Sequence, residues 1–91
     1  MEKYIIGSNS SGKTRRMLEE AKNNNAVVVC RNPYAMKSKA LGYGICNLEF
    51  VDYDDVNNNF IVGKKIAVDE LGDFFEHYFG AKLDSFTMTI D

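Results

Sequence analysis

The most constraining feature of the sequence is an eight-residue stretch near its amino end, residues 7–14, which reads GSNSSGKT. A short run of β-forming residues, Tyr4, Ile5 and Ile6, precedes it, and apolar residues at helical spacing follow it. Glycines in such a loop let backbone N–H groups turn inward, and the helix that follows presents its positive amino end at the same place. The stretch therefore predicts a strand, a phosphate-binding loop and a helix, in that order.

The residue types in this loop have distinct expected roles. Lys13 can reach the terminal phosphates of a nucleotide, and the Thr14 hydroxyl can bind Mg²⁺. The predicted nucleotide-binding residues are Gly7, Ser8, Asn9, Ser10, Ser11, Gly12, Lys13 and Thr14. The alternative interpretation is a Ser- and Gly-rich turn that only caps a helix.

The rest of the chain alternates between apolar runs and helical patterns. Buried strands are predicted at residues 26–30 and 65–70, and further strands at 48–51 and 85–90. A second helix is expected to begin at Pro33 and to end near Gly42. Strands separated by helices predict an α/β three-layer sandwich, with a short, mainly parallel sheet of about five strands, as a single domain over residues 1–91.

The clearest helical pattern in the chain follows the strand at 65–70. Leu71, Phe74, Phe75, Tyr78 and Phe79 occupy positions i, i+3, i+4, i+7 and i+8, and Gly80 is a typical helix-ending residue. We expect this apolar stripe to pack in the core.

Two carboxylates end the strand at 65–70. Because the carboxyl ends of parallel strands meet at a ligand crevice, Asp69 is expected near the phosphates, where it could hold Mg²⁺ together with Thr14. Glu70 is then a candidate for polarising the attacking water, so that Glu70 and Lys13 are the predicted catalytic residues. The alternative is that both acids only stabilise the amino end of the next helix.

With these residues, the chain resembles the P-loop nucleoside triphosphatases, with GSNSSGKT as Walker A and IAVDE, residues 66–70, as Walker B. The Asp-Glu pair is similar to the branch with a catalytic glutamate, which includes RecA-like and AAA+ ATPases and the thymidine-kinase type. That resemblance implies ATP or GTP with Mg²⁺, and a polar sensor residue on the strand after Walker B, for which Thr87 or Thr89 is the candidate. No clear arginine finger is present. Arg31 is better placed for a phosphate than Arg15 or Arg16.

Composition narrows the class of protein. The net charge of −2 argues against a protein that coats nucleic acid, and the longest apolar run, residues 26–30, falls far short of the roughly 20 residues that cross a bilayer. We expect a cytoplasmic protein without a membrane partner. Cys30 and Cys46 are expected to be reduced, partly buried thiols. His77, on the polar side of the aromatic helix, is a weak candidate for a metal ligand or a general base.

Three functions fit these features. The first is nucleotide binding with weak hydrolysis that depends on a partner protein or a second copy. The second is a small protein of the kind that phages and mobile elements carry, which uses the P-loop fold as an interaction or inhibitor module without significant catalysis. The third is a fragment of a DNA-dependent ATPase, which the acidic charge balance disfavours.

Overall fold

A sheet of three parallel strands forms the centre of the described part of the protein. The computed structural model describes residues 4–7, 12–57 and 61–89. Strands β1 (Val27–Cys30), β2 (Phe50–Asp52) and β3 (Ile66–Val68) are arranged in the order β2-β1-β3. Val29 of β1 pairs with Val51 on one side and with Val68 on the other. The predicted parallel α/β class is confirmed, with β1 as the central strand.

Among the described residues, three α-helices flank these strands. They are α1 (Lys13–Asn24), α2 (Pro33–Gly42) and α3 (Leu71–Phe79), and a short 3₁₀ helix (Tyr53–Asp55) follows β2. Asn25 ends α1 in the left-handed conformation, which asparagine tolerates. The Asn32 side chain accepts a hydrogen bond from the Ala35 amide at the start of α2. Among the described residues, no helix has the length and apolar character needed to cross a bilayer.

The main core lies on one face of the sheet. Val28 and Cys30 point to the same face because side chains alternate along a strand. They form one cluster of buried residues with the apolar sides of α1 and α2, and its helical members are Met17, Leu18, Ala21, Met36 and Ala40. Val27 and Val29 on the opposite face are buried as well, so both faces of the central strand are covered.

The expectation of about five strands was wrong for the described part of the chain. Residues 4–7 and 82–89 carry no regular secondary structure, although strands were predicted at 4–6 and 85–90. A strand requires a partner for its backbone hydrogen bonds, and an apolar or alternating pattern alone does not supply one. Ile6 is 84% exposed, and Phe86 and Met88 are exposed too. These two segments therefore lie outside the sheet.

The prediction that the α3 stripe belongs to the core was also wrong. The helix forms at the predicted place and Gly80 ends it with a φ of 65°, but none of its residues is fully buried. Phe79 is 69% exposed, and Leu71 and Tyr78 are exposed. Phe74 makes the inward contact, edge-on against the ring of Tyr53 at a centroid distance of 5.2 Å. The helix thus packs on the segment after β2, through Phe74 on Tyr53 and His77 on Asp54, and keeps much of its apolar face in solvent.

Two leucine-to-alanine variants test where the core lies. Leu18 in α1 is fully buried, whereas Leu41 in α2 is 56% exposed. Leu18→Ala is expected to lower the free energy of unfolding by about 2–5 kcal/mol, because it leaves a cavity. Leu41→Ala should change it by less than about 1 kcal/mol. Urea unfolding measures both, and equal losses for the two variants would contradict this assignment of the core.

Candidate functional site

The last three residues of the GSNSSGKT stretch, Gly12, Lys13 and Thr14, lie at the start of helix α1. Gly12 lies immediately before the helix with a φ of 77°, a left-handed conformation that glycine adopts without strain. Lys13 and Thr14 are its first two residues, and both are half-buried. Gly7 is exposed, and Ser8, Asn9, Ser10 and Ser11 lie outside the described residues. None of the described side chains caps α1, and its first turn contains no acidic residue.

The predicted Walker B acids lie beside this helix start. The Asp69 amide donates a hydrogen bond of 2.9 Å to the Val29 carbonyl, which continues the pairing with β1 past the end of β3. The next residue, Glu70, places a carboxylate oxygen 3.8 Å from Lys13 Nζ. The side chain of Lys13 is 23% exposed, so this ion pair is partly shielded from water. The structure thus brings together the two residues that the sequence nominates as catalytic.

The turn that carries these acids has an unusual backbone. Glu70 has a φ of 56°, which is left-handed and uncommon for a residue with a side chain. The Tyr53 hydroxyl donates to the Asp69 carbonyl at 2.6 Å and lies 3.3 Å from the Glu70 carbonyl. A strained conformation persists only where the surroundings hold it in place. Here Tyr53 and the pairing with Val29 hold the turn from two sides.

The environment of Asp69 disfavours its negative charge. Burial is the main cause that raises the pKa of Asp69 above its ordinary value, and the neighbouring Glu70 carboxylate adds to the effect. The positive charges of Lys39 and Lys13 act in the opposite direction. A cation bound at this carboxylate would relieve the same cost of burial.

The protein donors available for Mg²⁺ are few. In the ranges that the structure describes, no three His, Cys, Asp or Glu side chains gather in a way that could hold a metal ion. Mg²⁺ in nucleotide sites is usually bound through one or two protein oxygens, together with substrate phosphates and water. The Thr14 hydroxyl and the Asp69 carboxylate fit that kind of donor set by their chemistry, and they stay the predicted metal ligands.

The remaining sequence candidates have other contacts. Arg31 lies over the ring of Tyr53, 5.7 Å from its centroid, and Arg15 lies over the ring of Tyr43 at 5.3 Å. His77 Nε2 is 2.6 Å from the Asp54 carboxylate. The Thr89 carbonyl accepts a hydrogen bond from the Tyr4 hydroxyl, which links the C-terminal segment to the residues before the loop. The sensor role of Thr87 or Thr89 stays a prediction.

The two cysteines differ in their surroundings. Cys30 is buried at the end of β1, and this burial raises its pKa to about 11, so its thiol stays protonated and unreactive. Cys46 is exposed, contrary to the expectation of partial burial. Both thiols are free of disulfide bonds, as predicted.

Two surface clefts lie away from the turn that carries Asp69 and Glu70. The first, of about 450 Å³, is lined by Ile5, Arg16, Glu19, Glu20, Lys22, Asn23 and Ile45. The second, of about 360 Å³, lies at the amino ends of the strands and includes Lys22, Lys64 and Lys65. Ligands of parallel α/β sheets bind at the carboxyl ends of the strands, so we place the candidate site at Lys13 and Asp69 rather than in either cleft.

Sequence reasoning missed Tyr53. The residue follows β2, and β1 separates β2 from β3, so Tyr53 reaches across the end of the central strand to Asp69. The sequence signal was a tyrosine directly after a predicted strand. Which residue its hydroxyl reaches depends on the order of the strands in the sheet, which the sequence does not reveal.

The comparisons with known proteins do not extend this assignment. No family model, curated protein or solved structure matches the chain.

The pKa of Asp69 leads to a test by pH. Because the pKa of Asp69 is raised in the folded state, ionisation of this carboxyl lowers the free energy of unfolding. The loss is absent well below the ordinary pKa of about 3.9, grows as the pH rises from there to the folded pKa, and is constant above it. Asp69→Asn should therefore raise the melting temperature at pH 7, and this gain should shrink toward pH 4. Asp84→Asn, at an exposed position, is the matched control. A lower melting temperature for Asp69→Asn at pH 7 would contradict this account.

Proposed function

We propose that the protein binds a nucleoside triphosphate, ATP or GTP, with Mg²⁺ through residues 7–14, and that its hydrolysis is weak or depends on a partner. We also propose that the chain belongs to the minimal P-loop nucleoside triphosphatases. The single observation that carries it is the approach of the Glu70 carboxylate to Lys13 Nζ at the start of α1, at 3.8 Å. A helix that only needed capping would require neither a lysine at its first position nor an acidic turn from another strand beside it.

The contact between Lys13 and Glu70 indicates how binding would proceed. A lysine ammonium paired with a carboxylate can exchange that partner for a phosphate oxygen of similar charge. The α1 amides would add hydrogen bonds to the same phosphates. Once Lys13 moves to the phosphate, Glu70 is left next to the reacting end of the nucleotide, where it could accept a proton from the attacking water.

The metal has a defined place in this proposal. Mg²⁺ would supply positive charge at the β- and γ-phosphate oxygens. Thr14 and Asp69 would be its protein ligands. The stabilisation of the transition state would still lack an arginine, which is why we propose that hydrolysis is weak in the isolated chain and that a second copy or another protein completes the site.

A second candidate function is an interaction module with little catalysis, and the apolar surface of α3 favours it. Leu71, Tyr78 and Phe79 are exposed on this helix, a surface that a solitary domain would be expected to bury. The fragment of a DNA-dependent ATPase has no comparable observation in its support.

Removal of the loop lysine tests the proposed function. Lys13→Ala should lower the affinity for Mg-ATP at least about tenfold, because the ammonium contacts the terminal phosphates. Lys37→Ala, an exposed lysine of α2, is the matched control and should bind as the wild type does. Isothermal titration calorimetry measures the affinities, and circular dichroism checks the fold. A wild type that binds neither Mg-ATP nor Mg-GTP would reject the proposal.

The second candidate has its own test. If α3 is an interface between copies, sedimentation velocity should show association that increases with concentration, and Phe79→Asp should abolish it. Tyr34→Asp changes an exposed aromatic residue of α2 in the same way and should leave association intact. A wild type that stays monomeric at all concentrations would rule out self-association through α3.

A further inference from the structure

Tyr53 is fixed at the end of β2 by its backbone and its burial. It is the first residue of the 3₁₀ helix, and the side chain of Asp52 accepts a hydrogen bond of 3.0 Å from the Asp54 amide across it. The residue is only 3% exposed. A tyrosine buried in this way needs a partner for its hydroxyl group, so the position of that group is informative.

The ring of Tyr53 is held by three neighbours. Phe74 meets it edge-on at 5.2 Å, His77 is tilted against it at 5.7 Å, and the Arg31 guanidinium lies over it at 5.7 Å. His77 is itself paired with Asp54, next to Tyr53 in the chain. These contacts come from α3 and from the end of β1, so they restrict the direction in which the hydroxyl can point.

The hydroxyl of Tyr53 is hydrogen-bonded to the backbone of the turn that carries Asp69 and Glu70. It donates to the Asp69 carbonyl at 2.6 Å, and the Glu70 carbonyl is 3.3 Å away. The Asp69 amide is bonded to Val29.

We propose that Tyr53 is a positioning residue of the candidate site, whose hydroxyl holds the turn of Asp69 and Glu70 in the conformation that places the Glu70 carboxylate beside Lys13. This inference rests on the proposed function for its catalytic consequence. Its structural part depends only on the hydrogen bond between Tyr53 and Asp69. Glu70 in a left-handed conformation is strained, and without the hydroxyl the turn is free to relax and carry the carboxylate away.

Loss of the Tyr53 hydroxyl should affect the kinetics differently from loss of Lys13. Among the described residues, the hydrogen bonds and ring contacts of Tyr53 are with residues 31, 69, 70, 74 and 77, so nucleotide affinity should depend on it little. The step that needs Glu70 in place is the activation of water. Loss of the hydroxyl should therefore lower kcat and leave KM nearly unchanged, whereas loss of Lys13 should weaken binding.

Tyr53→Phe removes the hydroxyl and keeps the ring with its contacts to Phe74 and Arg31. Tyr34→Phe, at an exposed position on α2, is the matched control. The first readout is amide hydrogen exchange measured by NMR, which needs no nucleotide. Exchange of the Asp69 amide is expected to accelerate about tenfold in Tyr53→Phe, while the Val28 amide, which donates to the Glu49 carbonyl in the centre of the sheet, keeps its wild-type rate.

The second readout is turnover of Mg-ATP, with kcat expected to fall about tenfold and KM to stay within about twofold. An unchanged exchange rate of the Asp69 amide in Tyr53→Phe, or an equal acceleration at the Val28 amide, would overturn the inference. If the wild type hydrolyses Mg-ATP, a kcat of Tyr53→Phe equal to that of the wild type would overturn it as well. If the wild type binds no nucleotide, the proposed function fails, and exchange at Asp69 still decides whether Tyr53 holds the turn. If Tyr53→Phe does not fold, NMR of the wild type provides the test instead. A slowly exchanging resonance of the Tyr53 hydroxyl proton supports the inference, and the absence of this resonance overturns it.

Discussion

The parallel pairing of β3 with β1 is the interaction on which the candidate site depends. It continues past β3 through the hydrogen bond from the Asp69 amide to the Val29 carbonyl, and so the chain turns at Glu70 beside the start of α1. Lys13 and Glu70 are distant in sequence, and bringing them together costs loop-closure entropy. Burial of the apolar side chains of β1 on both faces of the sheet offsets that cost. The stability of the core and the geometry of the site therefore have the same origin.

The elements that could be predicted from sequence are those with strong local signals. The loop glycine and the apolar residues of α1 predicted that helix, Pro33 and Gly42 bounded α2, and Gly80 marked the end of α3. The proximity of Lys13 to Asp69 and Glu70 followed from the rule that parallel strands share their carboxyl ends. The strands at 4–6 and 85–90 were predicted wrongly, since strand formation depends on a partner elsewhere in the chain. Tyr53 was missed for the same reason, because its partners lie across two strands.

Helix α3 shows a further limit of pattern reasoning. Its stripe of Leu71, Phe74, Phe75, Tyr78 and Phe79 correctly identified the residues that share a face. A periodic pattern does not state what covers that face. In the structure Phe74 and His77 of α3 both meet the ring of Tyr53, and through that ring the helix is linked to the turn of Asp69 and Glu70. A protein or second copy that bound α3 would therefore act on the residue that holds Glu70 beside Lys13.

The most direct test of the central claim is an NMR titration of the ¹⁵N-labelled protein with Mg-ATP. We expect saturable shifts of the Gly12, Lys13 and Thr14 amides, because these residues lie at the start of α1, at the proposed phosphate position. The Asp69 and Glu70 amides should shift in the same titration as Lys13 leaves its carboxylate partner. Absence of shifts at residues 12–14, or shifts confined to the cleft that contains Lys22, Lys64 and Lys65, would contradict it.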